Sequence, residues 1–74
     1  MVKAVTLITT ELGKMDEICS KIREVKGVKD AFVIAGRADI VVYFEGDVEE
    51  ISKIMREIGR IEGVKTTETL IEVK

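Results

Sequence analysis

Few residues in this 74-residue chain have types and spacing suited to chemistry. Asp39 stands beside the apolar run Ile40 to Phe44, at the end of a G-R-A-D turn from Gly36 to Asp39 that follows a second apolar run, Ala31 to Ala35. The missing Cβ of Gly36 lets another group approach the backbone, and a carboxylate in this setting can pair with an ammonium. Near the C-terminus, Thr66-Thr67-Glu68-Thr69 adds hydroxyls and a second carboxylate. Asp39 or Glu68 could take an ammonium, while backbone N–H groups of the turn and the hydroxyls of Thr66, Thr67 or Thr69 could hold a carboxylate. Those are the parts needed for a free amino acid. A plainer reading stands beside this one: Gly and Asp favour turns whatever the function, and threonines are ordinary β-branched strand residues.

Other chemistry is poorly supplied. The chain has no His, so a Ser-His or Cys-His nucleophile cannot be assembled from it, and its only serines, Ser20 and Ser52, fall in helical patterns. Cys19 lies inside an apolar helical stripe and reads as a small core residue; with no C-x-x-C motif, disulfides and metal cages are not expected. The fourteen Asp and Glu residues mostly occupy helix faces, where solvated charge is the usual role; Asp16 is typical. No catalytic residue, metal site or cofactor is expected.

The elements that must position Asp39 and the threonines come from an internal repeat. An offset of 36 residues lays Ile51, Ile54, Met55, Ile58 and Ile61 on Met15, Ile18, Cys19, Ile22 and Val25, and Gly63-Val64-Lys65 on Gly27-Val28-Lys29. The helical spacing of each set predicts an amphipathic helix, closed by Gly27 in the first half and Gly63 in the second. Asp47 and Glu50 have capping-box spacing at the start of the second helix, with Val48 read as the first residue of its buried stripe. Two strand-helix-strand units joined by a hairpin give βαββαβ, and right-handed crossovers then require an α+β, ferredoxin-like fold: an antiparallel sheet of order 4-1-3-2 with both helices on one face, a single domain over residues 1–74.

If Arg37 and Ala38 form the hairpin loop, Ala35 faces Ile40, Val33 faces Val42 and Ala31 faces Phe44 beneath the helices, joined there by Ala4, Thr6, Ile8, Thr67, Thr69 and Ile71. Ile34 then faces Val41, and Phe32 faces Tyr43, on the other side. There Val5, Leu7, Phe32, Ile34, Val41, Tyr43 and Leu70 make an apolar surface larger than a soluble monomer usually exposes. Sheet-to-sheet dimerisation through those seven residues is the expectation. The exit of the first strand (Glu11 to Gly13), the hairpin turn and the start of the fourth strand (Gly63 to Thr67) share one rim. The turn and the fourth strand are nevertheless separated by roughly 10–14 Å, so a site using both is expected between subunits.

Composition sets the remaining bounds. A chain this short buries only about 60% of its unfolded surface, which favours self-association. With 12 Lys and Arg against 14 Asp and Glu, interleaved, the net charge of −2 offers no field for phosphate, so direct nucleic-acid binding is not expected. No apolar run of about 18 residues and no N-terminal signal occur, and the expected location is the cytoplasm, away from membranes. The absence of Asn, Gln, His, Pro and Trp beside abundant Lys, Glu, Ile and Val fits a thermophilic source.

Taken together, Gly27-Val28, the G-x-x-D-I-V-V stretch from Gly36 to Val42, the acidic helix start at Asp47, Gly63-Val64, and the T-x-T of Thr67 and Thr69 resemble the RAM domain. This is the effector-binding and oligomerising module of the Lrp/AsnC (leucine-responsive, feast-or-famine) transcription regulators, and the resemblance spans essentially the whole chain. It implies a non-catalytic module, dimers through the open sheet face, higher assembly, and a free amino acid held between dimers. The implied ligand residues are Gly36, Asp39, Thr67 and Thr69. Full-length members carry a helix-turn-helix ahead of this module, so the chain is expected to be a stand-alone RAM domain that joins full-length regulators in mixed assemblies. Two other readings remain open: a purely structural oligomerisation module, and a small dimeric α+β-barrel enzyme.

Overall fold

Local rules decide where the helices begin. The computed structural model describes residues 1–73. Its helix α2 (Val48–Gly59) starts at a complete capping box: the Glu50 N–H donates to Asp47 Oδ1 at 2.8 Å, and the Asp47 N–H donates to Glu50 Oε1 at 3.0 Å. Helix α1 (Met15–Arg23) has Lys14 at its N-cap and no side-chain cap. Under the 36-residue offset, Glu11 and Lys14 take the places of Asp47 and Glu50, and Gly13, at φ +82°, takes that of Glu49. A lysine ammonium cannot accept from a backbone N–H, so the box is lost, and the left-handed glycine keeps the extra turn from forming. Nine helical residues remain where the second half has twelve.

Strands β1 (Val2–Thr10), β2 (Val28–Val33), β3 (Ile40–Gly46) and β4 (Val64–Ile71) form an antiparallel sheet in the order β2-β3-β1-β4, the expected ferredoxin-like arrangement. Alternation along β1 and β3 buries Ala4, Thr6 and Ile8, and Ile40, Val42 and Phe44, against Ile18, Cys19 and Ile22 of α1 and Ile51, Ile54 and Ile58 of α2. The two halves lock together reciprocally. A Cβ on Gly27 would come 2.8 Å from Ile54 Cδ1, and one on Gly63 would come 2.8 Å from Ile18 Cδ1. Both glycines have φ near +100° (Gly27 101°, Gly63 99°), a conformation side chains rarely adopt.

Three expectations are corrected. The hairpin loop is not Arg37 and Ala38 alone but the six residues Ile34 to Asp39, and the register is Val33 opposite Ile40, Phe32 opposite Val41 and Ala31 opposite Val42. Buried Ala38 and the bond from Ile34 N–H to Asp39 O (2.8 Å) close this wider loop. The register moves by two residues, so Ala31, Phe32 and Val33 keep their expected faces, while Ile34 and Ala35 fall in the loop; a shift of one would have reversed the strand. Ile34 itself lies just beyond β2. Second, the helix side of β4 is poorly covered: Thr67 and Ile71 are exposed and Thr69 only half-buried, the buried strand residues being those of β1 and β3 with Ala31 of β2. Third, Val48 is 77% exposed at the first position of α2 and does not join the buried stripe.

Candidate functional site

The expected rim exists and is stitched by hydrogen bonds. The Asp39 N–H donates to Ile8 O at 2.8 Å, while Asp39 Oδ2 accepts the Thr10 N–H at 2.8 Å, with the Thr10 hydroxyl 3.5 Å away. The next residue, Glu11, donates its N–H to Gly63 O at 2.8 Å. The end of β1 therefore clasps the hairpin turn on one side and the start of β4 on the other. Asp39 is half-buried and Thr10 buried, so turn chemistry accounts for one carboxylate oxygen directly. Gly36, at φ +138°, is exposed, and a Cβ built there would meet no atom within 4 Å. Its backbone is open to an approaching group.

The two threonines expected to bind a ligand part company. Thr69 Oγ1 lies 3.0 Å from the hydroxyl of fully buried Thr6 and 2.9 Å from Met55 Sδ, and Thr6 Oγ1 lies 3.1 Å from the same sulfur. Two hydroxyl protons serve three contacts, so the Thr69 hydroxyl is engaged within the fold. Thr67 is exposed beside it, opposite Ile8 in the ladder. Thr66 turns to the other face and pairs its hydroxyl with that of Thr9. Arg37, to which the sequence assigned nothing, bridges the elements judged far apart: its Nη2 lies 3.5 Å from Glu68 Oε1. A long side chain spans what backbone spacing alone leaves open. Neither Thr10 nor Arg37 carried a sequence signal for these contacts.

On the helix-free face, Val5, Leu7, Val41 and Tyr43 are half-buried, while Phe32 and Leu70 are 47% and 50% exposed. They run together across all four strands. The Tyr43 hydroxyl donates to Glu45 Oε2 at 2.7 Å, and that carboxylate raises the phenol's pKa above its usual value. Cys19 is buried in the core as expected, and burial pushes its thiol up, toward the inert neutral form.

Two open grooves lie away from the rim: one of about 500 Å³ along α2, lined by Val48, Ser52 and Arg56, and one of about 250 Å³ between Lys26, Gly27, Glu45 and Lys53. Among the described residues no three His, Cys, Asp or Glu side chains gather to hold a metal, and no helix is long and apolar enough to cross a membrane.

Residues 3–74 match the model of the Lrp/AsnC ligand binding domain. The HTH-type transcriptional regulator FL11 of Pyrococcus furiosus is 32% identical over 72 residues; the match takes in 96% of this chain and 48% of that one, so the chain spans about half the length of this curated relative. The crystal structure of TTHA0845 from Thermus thermophilus superposes with a TM-score of 0.93 at 29% identity, covering 100% of this chain and 95% of that one. The transcriptional regulator NMB0573 of Neisseria meningitidis, crystallised as an L-Met complex, shares the fold at a TM-score of 0.82 and 17% identity, over 99% of this chain and 50% of that one.

Proposed function

The chain belongs to the Lrp/AsnC ligand-binding domain family, and from that premise we propose that it is a non-catalytic regulatory module that binds a free amino acid and self-associates through the helix-free face of its sheet. The observation that carries the ligand half is the rim, where a half-buried Asp39 and an open Gly36 backbone sit on a loop clasped to β1. The carboxylate would take the ammonium, and the loop amides and Thr67 the carboxylate. The L-Met complex of the Neisseria regulator supports this ligand class. Half-exposed Phe32 and Leu70 beside Val5, Leu7, Val41 and Tyr43, with Ile34 at the margin, support the association half. In a regulator, such a module would join chains that carry the DNA-binding function.

The test is thermal shift against the twenty amino acids, with wild type and Asp39→Asn. Asparagine keeps an acceptor for the Thr10 N–H, so the loop survives while the charge is lost. One amino acid should raise the wild-type Tm by several degrees at saturation and the variant's much less. If none shifts the Tm, the sensor reading fails. The second reading, a purely structural module, is favoured by the Asp39 to Thr10 bond, which explains that carboxylate without any ligand.

A further inference from the structure

Two rows of side chains cross the helix-free face. One runs Phe32, Val41, Leu7, Glu68 from β2 to β4, and the other Asp30, Tyr43, Val5, Leu70. Glu68 therefore stands in line with three apolar residues, its side chain 54% exposed. Its counter-ion comes from the other side of β1, since β1 separates β3 from β4 and Arg37 belongs to the β2–β3 loop. Among the described residues, the other two ion pairs, Glu11 with Lys14 and Glu17 with Lys21, join neighbours three and four apart. Only this one crosses the sheet.

With the Arg37 side chain 81% exposed, the pair contributes little to an isolated chain. Covering the face changes the balance. A second copy laid on these rows takes the Glu68 carboxylate out of water, and a buried carboxylate without a counter-ion is costly, whereas one that keeps its arginine is tolerated. The face also carries Asp30, Glu45 and Glu72 against Lys3, so loss of Arg37 makes two already acidic surfaces more acidic where they meet.

Resting on the reading that a second copy of this chain covers the sheet, we infer that Arg37 is a specificity-determining residue of that association. It neutralises Glu68 as the interface closes, so that copies carrying it pair and a copy lacking it is rejected.

Light scattering and dilution series on wild type, Arg37→Ala, Glu68→Gln and the double variant test this. Both side chains are exposed, so all four proteins should fold, with unchanged circular dichroism. Wild type is expected to be a dimer, and Arg37→Ala to raise its Kd by roughly a hundredfold. Glu68→Gln and the double variant, which bury no carboxylate at this position, should stay within about tenfold of wild type. A rise of less than about tenfold for Arg37→Ala, or a double variant as weak as Arg37→Ala, overturns the inference while leaving the dimer intact. A wild type that is monomeric overturns the dimer reading and this inference together.

Discussion

In the first half of the molecule, β1–α1–β2, the helix starts without a side-chain cap and the edge strand keeps Ala31 and Val33 on its helix side; in the second, β3–α2–β4, Asp47 and Glu50 box the helix start, and Thr67 and Thr69 hold the matching strand positions. Core positions differ as well: buried Cys19 corresponds to Met55, and buried Thr6 to Val42. What has not diverged is the contact between halves. Each half's glycine packs on the other half's isoleucine at the same 2.8 Å Cβ approach, so a change in either half would be felt in both. The polar positions of the second half lie where that constraint is absent, and the hydroxyl of Thr69 is satisfied by Thr6 and Met55.

The strongest way to break this comparison is a pair of double-mutant cycles. Gly63→Ala and Gly27→Ala should each cost about 1–3 kcal/mol in urea unfolding, because both put a side chain at a strongly positive φ. Ile18→Val, which deletes the Cδ1 atom facing Gly63, should cost about 0.5–1.5 kcal/mol. Combined, Gly63→Ala and Ile18→Val should lose less than their sum by at least about 0.5 kcal/mol. Gly63→Ala with Ile54→Val, which are not partners, should be additive. The same additivity in both pairings would end the reciprocal picture.

A smaller effect separates the helix starts. Asp47→Ala should cost about 1 kcal/mol through loss of the capping box, and Glu11→Ala at the equivalent place less than about 0.5 kcal/mol. Equal costs would mean that α1 gains a side-chain cap in solution. The smallest effect belongs to the hydroxyl cluster: Thr69→Val should cost about 1 kcal/mol or less, and Thr6→Val with Thr69→Val less than the sum, since removing both hydroxyls leaves neither unsatisfied.

Much of the fold was legible in the chain. The capping box needed two residue types three apart, and the helical stripes and strand alternation needed only period, so element order, the repeat and the identity of each sheet face could be read directly. Val48 misled because a first-turn residue can fit the apolar period and still stand outside the packed face. The T-x-T of β4 misled because alternation assigns a face without saying whether a helix reaches it. At the site, the shared rim followed from topology, whereas the partners of Asp39 and Thr69 did not.

The sequence alone determined the order of the elements, which side of the sheet the paired strand residues face, and that the second half repeats the first, because periodicity, caps and turn glycines act within a few residues. Tertiary structure decided that the hairpin loop spans six residues, that Asp39 bonds to Thr10, and that Arg37 crosses β1 to Glu68. The last two join positions about thirty residues apart along the chain, and such pairs come within reach only when the strands close into one sheet.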